Sequence, residues 1–452
     1  MLPAAPVTPD DDATGRSAIR KATLRLVPLI ALGYGAAYMD RINISFASLK
    51  MNTDLGFSPL VYGTGAGLFF VSYAFFEIPS NLLLVRFGAR RWLARIMLTW
   101  GLLAIGMMFV RTPMQFYSMR FLLGFAEAGF FPGVVFYLTQ WFPPEYRART
   151  ISRFYIALPL SSTVMGSVAS ALLSLNGRLH LAGWQWLFLV EGIPPLILSL
   201  VFLWQIPDKP SDASWLSVAE CTWLEARLSA AESEAHSSEN LWQDLSRTLT
   251  DVRVLLIGVF FFCMLTVLYA WSFSAPAILI QLTGSSIGQA GTILATMGLF
   301  GAASMLLTAA HSDRKRERNF HIAVPCLLMA SGFLVGALTH RPAVAILAFA
   351  LTVISYNAAQ GPALTLPSIF LRGRSSAIGY ATINMIGMVG GFVGPYWMGA
   401  ARQLTGDYQR GLLTLAIPSV VAALLIVVLA RTGAQRQSAE AAVPDAVDAA
   451  TL

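Results

Sequence analysis

Tyr34-Gly35-Ala36-Ala37-Tyr38-Met39-Asp40-Arg41-Ile42-Asn43-Ile44-Ser45 lies inside an apolar run from Leu24 to Leu49. About 20 apolar residues cross the hydrocarbon core of a bilayer, so this run can span one. Yet it carries Asp40 and Arg41 side by side. A charged side chain at mid-bilayer costs roughly 3 kcal/mol even on insertion-based scales, and that cost needs compensation. Two readings are open: a neutralised structural ion pair, or a site for a charged solute and a coupling ion. The remainder of the chain bears on the choice.

The 452 residues are 56% hydrophobic and 12% charged. A soluble domain carries about 25% charged residues, so the composition is that of a membrane protein. Cys221, Cys263 and Cys326 have no metal-ligand spacing and read as packing residues. Residues 1–22 are polar, lack a small-residue cleavage site before the first span, and read as a disordered tail. Twelve apolar spans follow, over 23–49, 59–85, 92–110, 113–141, 149–175, 184–206, 252–282, 286–310, 321–339, 342–370, 375–402 and 409–430.

Placing the N-terminus in the cytoplasm puts 23 Lys and Arg on that side and 6 on the other, with Arg41 and Arg120 inside spans. The positive-inside rule then supports twelve spans with both termini cytoplasmic. The net charge of +7 is accounted for as topology signals spread over the inner loops, which removes a nucleic-acid partner. The long connection 207–251 is cytoplasmic and divides the spans into bundles at 23–206 and 252–430; 431–452 is a second tail, and Val218–Leu228 can form a surface helix. The halves echo each other weakly. Arg86-Phe87-Gly88-Ala89-Arg90-Arg91 corresponds to Ser312-Asp313-Arg314-Lys315-Arg316, and Arg147-Ala148-Arg149 to Arg372-Gly373-Arg374. The expected fold is all-α, twelve transmembrane helices in two pseudo-symmetric six-helix bundles, an architecture common among secondary transporters.

Five motifs carry a closer resemblance. They are Tyr38-Met39-Asp40-Arg41-Ile42-Asn43, Glu77-Ile78-Pro79-Ser80-Asn81, Arg120 through Gly133, Gly183 through Gly192, and Asn384 with Gly390-Gly391-Phe392-Val393-Gly394-Pro395. With these the chain resembles the major facilitator superfamily, and within it the anion:cation symporter family of bacterial tartrate, phthalate, hydroxyphenylacetate and nicotinate permeases. The resemblance covers residues 20–432. It implies proton binding at Asp40 and Glu127, a modulating role for Arg120, and substrate contact at Arg41, Tyr38, Tyr73 and Asn384. Gln360, Trp271, Tyr269, Tyr356 and Asn357 are candidates on polarity alone, and for each of them structural hydrogen bonding is the better reading. The inner gate is expected at Glu77, Arg86, Arg90, Arg91, Asp313 and Arg314; the first loop lacks the acid that Asp313 supplies in the second. Glu191 is expected to anchor span six.

Arg120 and Glu127 are seven residues apart, two helical turns, and therefore share a face. A buried carboxyl resists ionisation, and a nearby Arg favours it. A substrate carboxylate that engages Arg41 would release an acid to take a proton. The expected function is import of a small organic anion with protons by alternating access, in the bacterial inner membrane, as a monomer. The substrate is an aromatic carboxylate or a hydroxy acid such as tartrate, the proton is the coupling ion, and no other cofactor or metal is implied. The alternatives are an anion exchanger of the same fold, a non-transporting anion receptor, and a membrane-embedded enzyme. Nothing in the sequence forms a nucleotide-binding loop or an enzymatic constellation.

Overall fold

The computed structural model describes residues 9–155, 157–235, 250–367 and 374–441. Lipid offers no partner for backbone N–H and C=O groups, so the apolar runs must satisfy them internally as helices. In chain order these are α1 (Pro9–Leu55), α2 (Pro59–Phe87), α3 (Ala89–Gly106), α4 (Pro113–Glu127), α5 (Phe130–Thr139), α6 (Pro144–Tyr155), α7 (Ala157–Leu173), α8 (Gly183–Gln205), α9 (Val218–Ala235), α10 (Val252–Thr283), α11 (Ile287–Lys315), α12 (Asn319–Leu338), α13 (Pro342–Ala363), α14 (Arg374–Thr405) and α15 (Gln409–Ala441). Among the described residues, ten helices are long and apolar enough to cross a membrane. The shorter α7 and the helix α14 stand where the sequence places spans five and eleven.

Helix starts follow local chemistry. Ser58 accepts from the Val61 N–H at 3.2 Å ahead of α2, and Pro59 needs no donor partner at that position. Thr112 and Gln115 form a reciprocal capping box ahead of α4.

The chain divides into two compact units, and several of the boundaries between them fall inside helices. The first unit holds Met1–Leu241, Tyr269–Leu299 and Gly391–Tyr408; the second holds Trp242–Leu268, Phe300–Gly390 and Gln409–Leu452. In the first, Gly101 of α3 and Gly192 of α8 bring two backbones together, as small residues do where helices pack in lipid. In the second, α12 packs on α13 with Gly336 against the Phe349 ring, and the Cys326 sulfur lies 3.9 Å from that of Met264. His311 near the end of α11 and His321 near the start of α12 meet beside Glu317, whose carboxylate accepts from the Phe320 N–H at 2.7 Å.

Two sequence expectations change here. Residues 9–22, read as a disordered tail, are the opening turns of α1. Their ordering has a partner that the local sequence does not reveal: α9 docks on them. Glu220 accepts from Ser17 at 2.6 Å and Lys21 at 2.8 Å, and Trp223 lies against Gly15. The surface helix also runs further than expected, to Ala235. The second change is in span four, which is two helices rather than one.

Burial alone would raise the Glu220 carboxyl, but hydrogen bonds from Lys21, Ser17 and the Ser217 N–H override it and hold it down at about 2. A carboxyl held below its unfolded value, about 4.3, stabilises the docked state above that pH and ceases to do so as pH falls toward about 2. The protection of amides across residues 218–229, relative to intrinsic exchange at the same pH, is therefore expected to fall as pH drops from about 5 to about 2.5. Glu220→Gln is expected to show the lowered protection already at neutral pH, and unchanged protection in that variant would remove Glu220 as the fastening.

Candidate functional site

Span four breaks at Ala128-Gly129. Gly129 adopts φ 86°, a left-handed conformation open to glycine, and α5 starts at Phe130. Ala128 N–H still bonds Gly124 C=O at 3.0 Å, so Glu127 is the last residue of α4. Its carboxylate sits at the negative end of that helix, where a cation is favoured and a second negative charge is opposed. Gly124 lets α4 approach α2 closely, with the Phe69 carbonyl and Ser72 against it.

That approach gathers the four ionisable groups. Asp40 is 2% exposed, Arg41 7%, Arg120 1% and Glu127 0%. Arg41 donates from Nε to Glu127 Oε1 at 2.8 Å, and its Nη2 donates to the same oxygen. Both donors converge on one oxygen, and Glu127 Oε2 has no hydrogen-bond partner among the described residues. Asp40 repeats the pattern: Oδ1 accepts from the Asn43 amide at 3.4 Å, and Oδ2 has no partner among the described residues. Arg120 lies within electrostatic range of Asp40, but its donors go to the Gly65 and Ala66 carbonyls of α2 at 3.4 and 3.3 Å. Adjacent residues on a helix point about 100° apart, which is why Arg41 pairs across to α4 rather than with Asp40.

An aromatic wall completes the arrangement. The Phe69 ring takes the Arg120 guanidinium at 5.0 Å and the Arg41 guanidinium at 5.4 Å, and Tyr73 lies 5.0 Å from the latter. Such contacts contribute about 0.5–2 kcal/mol each, more as water is excluded. Tyr269 of α10, in the same unit, packs against Phe70 at 4.1 Å between ring centres and faces Arg41. Tyr38 lies beside Ser162 and Ser272.

The structure thus brings together Asp40, Arg41, Arg120, Glu127, Tyr38 and Tyr73. Trp271 is buried in the same unit, whereas Gln360 and Asn384 belong to the second. Of the gate candidates, Glu77 is buried in α2, Arg86 lies over the Phe87 ring at 5.6 Å, and Arg91 is exposed. Arg90 ties α3 to the end of α8, bonding Leu203 C=O through its side chain and Asp208 through its N–H. Asp313 lies 3.9 Å from Arg318, and Arg314 is exposed. Sequence reading missed Phe69 and set Tyr269 aside as scaffold. The Phe69-Tyr73 spacing of four, which puts both on one face of α2, was the available signal.

A model of the Major Facilitator Superfamily matches residues 30–395. The chain belongs to that superfamily. It is a multi-pass membrane transporter and not an enzyme. It is 43% identical over 414 residues to an Agrobacterium vitis protein named "Putative tartrate transporter", covering 92% of this chain and 95% of the relative. It is 39% identical over 422 residues to the Pseudomonas putida "Putative metabolite transport protein NicT", covering 93% and 96%. A solved bacterial homolog to the human lysosomal transporter Spinster matches with a TM-score of 0.74 over 90% of this chain and 96% of that one. At 14% identity that likeness concerns the fold of the superfamily alone.

Proposed function

We propose that this facilitator imports a small organic carboxylate together with protons by alternating access, as a monomer in the bacterial inner membrane with both termini cytoplasmic. One observation carries the reading. Two buried carboxylates, Asp40 and Glu127, each keep an unpartnered oxygen beside two guanidiniums. With both acids ionised the cluster is neutral, two negative against two positive. An anion entering it leaves a net negative charge in a dry site, at a cost of several kcal/mol. A proton entering with it restores neutrality. The incoming carboxylate takes the Arg41 donors, Glu127 loses its counter-charge, and the proton is taken up by the pair of acids, on the unpartnered oxygen of Asp40 or of Glu127.

The names of the relatives support a small organic anion such as tartrate, and the Phe69, Tyr73 and Tyr269 wall suits a planar aromatic acid equally. The tyrosine hydroxyls can meet either. We assign Glu77, Arg86, Arg90 and Arg91 of the first unit, and separately Asp313 and Arg314 of the second, to the cytoplasmic side of their own bundles, Glu77 from within α2 and the others from span ends.

The test is reconstitution into proteoliposomes with a pH dye inside, challenged with tartrate, nicotinate and phthalate under an inward proton gradient. Internal acidification that tracks anion entry is expected for at least one of them. Anion entry without net proton movement would replace symport by exchange. Absence of counterflow with every acid would leave a receptor.

A further inference from the structure

Glu191 of α8 is a buried acid that the proposed mechanism does not use. It is 7% exposed, and among the described residues neither carboxylate oxygen has a partner in close hydrogen-bond geometry. The sequence reading gives it the role of anchoring span six. Its polar neighbour is the Asn43 amide, and Asp40 is the charged group that acts on it. On its other side it borders a cavity of about 780 Å³, walled by Met39, Leu160, Val164, Pro194 and Leu198, with Ser161 as a neutral polar group. These neighbours from α1, α7 and α8 supply no cation.

Asn43 carries the complementary defect. Its Nδ2 donates to Asp40 Oδ1 at 3.4 Å, while its Oδ1 has no partner. An ionised carboxylate can only accept: the two N–H groups of the Asn43 amide could then serve Asp40 and Glu191 together, but Asn43 Oδ1 would stay unpaired and Glu191 would remain a buried charge with no cation beside it. A protonated Glu191 is a donor, and Asn43 Oδ1 is the acceptor that lacks one. One proton resident on Glu191 therefore removes an unpaired buried charge and supplies the missing bond.

We infer that Glu191, held as the neutral acid, is a positioning residue that acts through Asn43 on Asp40. The Glu191 hydroxyl fixes the orientation of the Asn43 amide, and the amide in turn holds Asp40 Oδ1. Oδ2 is then the oxygen left to take the coupling proton. The inference rests on the proton-coupled reading of Asp40, but the state of Glu191 is measurable without it.

The first arm is infrared spectroscopy of the intact reconstituted protein near neutral pH. The wild type is expected to show a protonated-carboxyl stretch that disappears in Glu191→Gln. A spectrum with no such Glu191-dependent band overturns the inference, whatever the substrate proves to be. The second arm is transport. Glu191→Gln, which keeps an N–H for Asn43, is expected to retain proton-driven uptake within about twofold, a change below the scale of a coupling free energy. Glu191→Leu, which cannot donate, is expected to shift the pH profile of uptake toward alkaline pH while counterflow persists. Asn43→Leu is expected to copy it, with little further effect in the double variant, and it serves as the test if Glu191→Leu does not fold. Loss of coupled uptake in Glu191→Gln with counterflow intact would make Glu191 a proton carrier instead. Wild-type pH profiles in both leucine variants would also overturn the positioning role.

Discussion

Arg41→Ala is expected to abolish saturable anion uptake. The guanidinium is the group in the cluster whose donors already hold a carboxylate, two of them on Glu127 Oε1. Hydrogen bonds to charged groups contribute about 1.5–3 kcal/mol net, so losing the substrate's share raises the apparent substrate constant by roughly a hundredfold. Arg41→Lys is also expected to be impaired, by roughly tenfold, because an ammonium has neither the planar fork nor the same stacking on Phe69 and Tyr73. A stability effect has to be separated from a binding effect. Removing one partner of a buried pair costs about 3–5 kcal/mol, since the other is left as an uncompensated charge. The double variant Arg41→Ala/Glu127→Gln removes both charges. It is expected to recover thermal stability in detergent toward that of the wild type and to remain inactive. Recovery of stability together with uptake, or unchanged apparent affinity in both single variants, would take Arg41 out of the binding site.

How far the sequence could be read depended on the range of each interaction. The spans and their division at 207–251 are signals of composition and of charge placement, both local. The break after Glu127 has local signals too, in Gly129 and Pro132, but hydropathy runs unbroken across it and a single left-handed residue leaves no mark on a periodic pattern. The order in residues 9–22 was not legible, because the partner that offsets the entropy of folding them is Glu220, about two hundred positions away. In the site, ionisable residues within apolar spans are rare, and so Asp40, Arg41, Arg120 and Glu127 stood out. Their pairing did not, since it depends on where α4 ends and which face it turns to α1. Phe69 is one of 28 phenylalanines, and its spacing of four from Tyr73 is a faint mark to separate it from those that merely pack.

Asp40→Asn is expected to separate anion movement from proton movement. Asparagine keeps the shape of the side chain and an oxygen to accept from Asn43, but it can neither carry a charge nor take up a proton. The cluster then holds Arg41 and Arg120 against Glu127 alone, with a net positive charge before the anion arrives. A monovalent carboxylate neutralises that charge by itself, and no proton has to accompany it. Counterflow, which needs only binding and reorientation, is therefore expected to persist. Uptake driven by a proton gradient is expected to fall by roughly tenfold or more, the scale of a coupling free energy above about 1.4 kcal/mol. The pH dependence of exchange is expected to flatten as well. Glu127→Gln provides the contrast. It removes the resident partner of Arg41, so the anion no longer displaces a carboxylate and apparent affinity is expected to tighten even as coupling weakens. The two variants thus move affinity differently while both reduce coupling, an outcome that a loosened fold would not produce. Concentrative uptake at the wild-type level by Asp40→Asn would mean that the proton travels on Glu127 alone, and that the unpartnered oxygen of Asp40 serves the field of the site without carrying its cargo.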